Sequence, residues 1–189
     1  MKNLFSALGF PPDLVLDPES IEAAWREATR QHNDRDSPSE LTETDELADL
    51  HEARAVLGDP VRRLRHWLEL AEVPVTRATS MDSGMMDLFG NVGNALSQTD
   101  DFLSRHESAT TALAKALLTK EAISVQLQLQ DQMQKIQAKK QEAIDGFPEL
   151  ENLAADGQHE EAVSTLQQLQ FLAKWEAQCQ ERLLSLLSC

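Results

Sequence analysis

The sequence predicts an all-α protein made of two parts: an N-terminal unit built around a helical hairpin, and a C-terminal three-helix bundle. Three observations predict it. Apolar residues recur at three- and four-residue spacings in long runs rich in Ala, Leu, Gln and Glu. The pairs Asp17-Pro18 and Asp59-Pro60 join a capping carboxylate to a proline that loses no hydrogen bond at the first helical position. There is no Tyr and there are only three Trp in 189 residues, a composition poor in strand formers.

The elements follow in order. Asn3 to Phe10 is a short apolar helix ended by Gly9 and Pro11-Pro12. From Pro18, the residues Ile21, Ala24, Trp25 and Ala28 recur at helical spacing, and the helix runs to about Gln31. The polar stretch HNDRDSPSE is a loop. A second long helix covers 40–57, with Leu47, Leu50, Ala53 and Leu57 as its stripe and Gly58 as its stop. A further helix starts at Pro60 and uses Val61, Leu64, Trp67, Leu68 and Ala71. These four form the first unit, residues 1–72, with the two longest helices antiparallel. Residues 73–81 form a linker, and 82–189 form the bundle, with helices at 82–104, 107–145 and 158–187 and a helical turn at 149–155. Gly84, Gly90 and Gly93 each weaken the first bundle helix by about 1 kcal/mol against Ala, so packing must hold it. The alternation Val125, Leu127, Leu129 resembles a strand, but the helical face resumes at Met133 and Ile136, and helix is expected there.

A chain of this length buries roughly two thirds of its surface and needs no metal or disulfide. Acidic side chains number 32 and basic ones 17, a net charge of -15. Residues 1–72 carry a net -8 and 73–189 a net -7, so no acidic tail stands apart. Nucleic acid and anionic membrane are therefore not expected partners, because both are bound through Lys and Arg. Cys179 and Cys189 are the only cysteines and form no Cys-x-x-Cys pair, so a reducing, cytoplasmic setting is expected. Neither a signal peptide nor a membrane span is expected.

No phosphate-binding Gly motif, nucleophile elbow or split carboxylate pair is present, so a binding module is expected rather than an enzyme. The densest polar cluster is His32-Asn33-Asp34-Arg35-Asp36. At the tip of a hairpin it is expected to project toward a partner. The alternative is a capping loop in which Asp34 satisfies backbone donors. His32, Asp34 and Asp36 are too few for a metal site, and no cofactor is expected. Arg26 and Arg30 are four apart on one helix face, with Arg35 beyond, and form a local basic stripe diluted by Glu22 and Glu27. The arginines 62, 63 and 65 either solvate their helix or pair with acids of the preceding one.

On the last helix, Leu169, Leu172, Cys179, Leu183 and Leu187 share the core direction, with Trp175 at its edge and Phe171 roughly 100° away. An aromatic residue off the core stripe is either a partner contact or a cover for the junction of the two units. In the first bundle helix the stripe is Met85, Leu88, Phe89, Val92 and Leu96, with Met86 outside it.

These segments resemble a known family. LFSALGF, IEAAWREATRQHNDRD and LHEARAVLGDPVRRLRHWLELAEVP are similar to a J-domain and its exit. AVSTLQQLQFLAKWEAQCQERLLSLL resembles the last helix of the HscB-type iron–sulfur co-chaperones, and the match spans nearly the whole chain. The resemblance implies a J-domain-like unit plus a scaffold-binding bundle, and no enzyme. The implied partners are a DnaK/HscA-type ATPase, docked and stimulated by the first unit, and an IscU-type scaffold protein, held by the second in a monomer or weak dimer. It also implies ATPase docking by His32, Asn33, Asp34, Arg26, Arg30 and Arg35, and scaffold contact by Phe171, Met85 and Met86, with Phe89 and Trp175 beside them. Asn33 departs from the family's proline. It restores a backbone donor and frees φ, which leaves a degenerate adaptor without ATPase activation as the alternative. A self-associating structural protein is a third class.

Overall fold

A computed structural model describes residues 2–33, 40–75 and 83–188, the side chains of 40–45 excepted. Eight helices run through them: α1 (Leu4–Ala7), α2 (Pro18–Asn33), α3 (Glu40–Leu57), α4 (Pro60–Leu70), α5 (Ser83–Ser108), α6 (Ala112–Asp145), α7 (Phe147–Ala155) and α8 (Glu160–Leu187). The all-α expectation holds, and no strand occurs among the described residues.

The caps work as the sequence implies. Asp59 Oδ1 accepts from the backbone N–H of Val61 and Arg62, each at 2.9 Å. Asp17 Oδ2 accepts from the N–H of Ser20 at 2.8 Å and from its hydroxyl. Satisfying such orphan donors typically stabilises a helix by about 1 kcal/mol. The short first helix is capped by Asn3, whose Oδ1 accepts from Phe5 and Ser6.

Two compact units form: Met1–Arg77 with Ile144–Leu166, and Ala78–Ala143 with Gln167–Cys189. The expected boundaries at 72 and 82 follow chain order, whereas segment 144–166 groups with the N-terminal residues. The reason is local chemistry. Leu14 N–H donates to Glu151 Oε1 at 2.5 Å, and the Trp67 ring lies 6.0 Å from that of His159. Phe147 and Leu150 are buried in the same unit.

In the first unit, α3 packs on α1, α2 and α4. Arg54 reaches back to Glu22, and the rings of Trp25 and His51 lie 5.5 Å apart. The paired positions sum to 76 in both contacts, so α2 and α3 run antiparallel. Arg54 also lies over the Trp25 ring at 4.4 Å, a cation–π contact across the hairpin. Leu4, Phe5, Leu8, Ile21, Ala53, Val56 and Leu57 form the core beneath. His66 Nε2 accepts from Leu4 N–H at 3.1 Å while its ring stacks on Phe5.

In the second unit, α5 runs antiparallel to α6, as the Arg105–Glu121 pair fixes. Arg182 of α8 reaches Asp100 near the end of α5 that Arg105 ties to Glu121, whereas Lys140, later on α6, reaches the earlier Glu176 of α8, so α6 and α8 are antiparallel too. Arg182 donates to Asp100 at 2.5 Å, and Phe89 meets Trp175, so α5 and α8 are parallel. The core holds Met85, Leu88, Val92, Phe102, Val125, Leu129, Ile136, Leu172, Trp175 and Cys179. Each fully buried aliphatic or aromatic side chain stabilises by about 1.5–3 kcal/mol. Burial raises the Cys179 thiol above its usual value, with nearby Glu176 adding to the shift.

Two core expectations are corrected. Phe89 is exposed and lies outside the α5 core row. On α8 it is Leu186, not Leu187, that is buried at the end of the row. Both errors come from extending an ideal helical phase to the rim of the bundle, where the neighbouring helix covers only part of the arc. The helix also wins over the strand pattern in α6: Val125 and Leu129 turn inward and Leu127 outward.

Candidate functional site

Two candidate sites come from the sequence, one in each unit. At the hairpin tip the structure corrects one expectation. Helix α2 does not stop at Gln31 but continues through His32 and Asn33. Its inward row is Ile21, Trp25, Ala28 and then His32, four residues further on. The imidazole therefore falls on the packed side of the helix and is buried, not projected. Asn33, one residue on, is exposed.

His32 lines a cleft of about 320 Å3 with Ala7, Ala28, Gln31, Glu46, Asp49 and Leu50. Its Nδ1 lies 3.4 Å from Glu46 Oε2, within ion-pair range but without hydrogen-bond geometry. Asp49 is engaged by Lys2.

The basic stripe is thinner than the count of arginines suggests. Arg30 is folded back onto Glu27 through two nitrogens, at 3.1 Å from Nε and 2.8 Å from Nη2. Hydrogen bonds from Gln31 and then Arg30 hold the Glu27 carboxyl below the usual range. Arg26 is exposed on the same helix. Asp34, Arg35 and Asp36 lie outside the described residues. Of the arginines on α4, Arg63 is buried: its Nη1 donates to Leu57 C=O at 2.8 Å, with Asp13, Asp59 and Glu151 supplying countercharge. It is a structural residue rather than a solvating one.

In the second unit the expected contact residues separate into two layers. Met85 and Trp175 are buried, whereas Met86 is 62%, Phe89 56% and Phe171 37% exposed. Trp175 is the floor of the patch. The Phe89 ring lies 5.5 Å and the Phe171 ring 6.3 Å from it, both tilted. Met86 is three residues before Phe89 and so adjoins it on α5. The arrangement brings together an exposed aromatic pair from two parallel helices and holds it on a buried indole. Such tilted aromatic contacts favour defined ring orientations. Met85, expected as a contact, and Trp175, expected beside the contacts, are buried, and Trp175 lies against both phenylalanine rings. No cluster of His, Cys, Asp or Glu suited to a metal occurs among the described residues.

A two-unit, all-helical chain with an antiparallel hairpin near its start and a three-helix assembly near its end defines a fold class. Solved structures identify it. The chain matches the chaperone HscB from Vibrio cholerae with a TM-score of 0.62 at 18% identity, over 95% of this chain and 96% of that one. It matches the human co-chaperone protein HscB with a TM-score of 0.60 at 14% identity, over 96% of this chain and 82% of that one. The fold is therefore HscB-type. No protein-family model matches the sequence. No curated protein matches it. Among the described residues no helix is long and apolar enough to cross a membrane.

Proposed function

We propose that this chain is a non-enzymatic co-chaperone of iron–sulfur cluster assembly, which brings an IscU-type scaffold protein to a DnaK/HscA-type ATPase and stimulates its ATP hydrolysis. The reading is supported by an HscB-type fold along nearly the whole chain, with an aromatic patch where the second unit offers α5 and α8 together. In this reading residues 1–72 are the J-domain-like unit and 82–189 the scaffold-binding bundle. Met86, Phe89 and Phe171 contact the scaffold, with the buried Trp175 beneath the two rings and the buried Met85 beside Met86 in sequence. His32, Asn33, Asp34, Arg26, Arg30 and Arg35 dock the ATPase.

A second reading has its own observation. With His32 buried in the last turn of α2 and Arg30 tied to Glu27, the docking groups of the tip are partly withdrawn. A degenerate adaptor would bind the scaffold and leave the ATPase unstimulated. One experiment separates the two. Steady-state ATP turnover of the cognate ATPase is measured with chain, scaffold, both and neither. Stimulation that disappears in Asp34→Asn supports the co-chaperone. Scaffold binding without stimulation supports the adaptor.

A further inference from the structure

Helix α6 is apolar on two faces. Val125, Leu129 and Ile136 turn into the core, whereas Leu113, Leu117, Ile123 and Leu127 are each more than half exposed. At 100° per residue these four fall within an arc of about 120° on the side away from the buried row. They extend over about 21 Å of helix. Between Leu113 and Leu127 the only charged residue inside that arc is Lys120, which is exposed, and Asp131, one turn beyond Leu127 on the same arc, is held by Lys135. The stretch 109–130 carries one carboxylate and two lysines, a net +1 in a chain of net -15. Its carboxylate, Glu121, is held by Arg105. An apolar stripe kept clear of free acids, with an ammonium at its middle, is the complement of an apolar stripe bearing a carboxylate.

A second copy of this chain fits the stripe poorly. The antiparallel register that sets Leu113 against Leu127 and Leu117 against Ile123 also sets Lys120 against Lys120, since each pair sums to 240. Parallel pairing in register does the same. Like charges facing one another inside an interface oppose association.

We propose that the outer face of α6, from Leu113 to Leu127, docks an amphipathic helix of another protein whose apolar stripe carries an Asp or Glu opposite Lys120. The surface is separate from the Phe89–Phe171 patch and serves a second protein partner.

The test uses the full chain and two synthetic amphipathic peptides of about 18 residues, long enough to cover the stripe. Both carry the same leucine heptads, one with Glu and one with Lys at the centre of the stripe. Fluorescence anisotropy should give binding of the Glu peptide about tenfold tighter than the Lys peptide. Leu117→Gln with Leu127→Gln should abolish it, and Lys120→Glu should invert the preference. Should the double variant fail to fold, the Lys120→Glu inversion decides alone, because that ammonium faces solvent. Equal affinity for both peptides, binding by neither, or binding that survives the double variant overturns the proposal. So does a reversible dimer in sedimentation that Leu117→Gln with Leu127→Gln dissolves, or capture of the chain through this stripe by phosphatidylglycerol vesicles.

Discussion

The exposed ring of Phe89 on α5 lies 5.5 Å from the buried ring of Trp175 on α8, and the same indole supports Phe171 at 6.3 Å. The two phenylalanines are thus coupled through a buried residue. This divides the patch into exposed rings and a buried support, and the two kinds are expected to respond differently to mutation.

Phe171→Ala or Phe89→Ala is expected to weaken scaffold binding by about 10–100-fold while costing less stability than loss of the buried indole beneath them, since Phe89 is 56% and Phe171 37% exposed. Trp175→Ala is expected to destabilise the fold by about 3–5 kcal/mol. Calorimetric titration with scaffold and thermal unfolding of each variant check both. Equal losses of stability in all three would remove the distinction between contact and support.

Asn33 explains why His32 is inside. A proline at 33 disfavours the α conformation of the residue before it, and so would end α2 before the imidazole. Asparagine permits the helix to continue, and the row Ile21, Trp25, Ala28, His32 closes onto the cleft. Asn33→Pro is expected to release His32 to solvent and to raise ATPase stimulation. Imidazole proton exchange by NMR, read beside ATP turnover, checks it. An unchanged His32 environment with unchanged turnover would count against the explanation.

Glu151 ties α7 to the first unit through Leu14. Burial, with the hydrogen bond that the protonated carboxyl donates to Asp13 adding to it, raises the Glu151 carboxyl above the ordinary 4.5, although the Leu14 amide pulls the other way. A raised folded-state value means that this group's stabilisation is complete below the ordinary value. It is lost as pH rises through the raised one. Unfolding measured from acid toward neutral pH should therefore show a declining contribution, and Glu151→Gln, which keeps the acceptor for Leu14, should remove that decline. An identical pH profile in both proteins would contradict it.

Gly90 and Gly93 sit in α5 with open space where a Cβ would stand. Neither has a positive φ. Gly90→Ala and Gly93→Ala are each expected to stabilise the chain by roughly 0.8–1 kcal/mol through helix propensity. Denaturant titration checks this, and a loss of stability would mean that an unseen neighbour fills that space.

Much of this architecture was legible in the residues themselves. Asp59-Pro60 and Asp17-Pro18 mark helix starts because capping is local, and it needs only a carboxylate and a proline at the right offset. The exposure of Phe171 followed from its phase on α8. Long-range features were not legible. Leu14 meets Glu151 across 137 residues of chain, and no local pattern announces that contact. Phe89 read as core because it continues the stripe of Leu88 and Val92, yet the arc that α6 and α8 cover ends before it. His32 carries a signal in the sequence: it stands four residues after Ala28, on the row that Ile21 begins. The polar composition of HNDRD argued for a loop there, and helical phase overrode it.

The measurement that tests the central proposal most directly is ATP turnover by the cognate DnaK/HscA-type ATPase with this chain and its IscU-type scaffold together. The account predicts a rise that needs both proteins, is lost in Asp34→Asn and is weakened in Phe171→Ala. Turnover unchanged by the chain, with no scaffold bound to the Phe89–Phe171 patch, would contradict it.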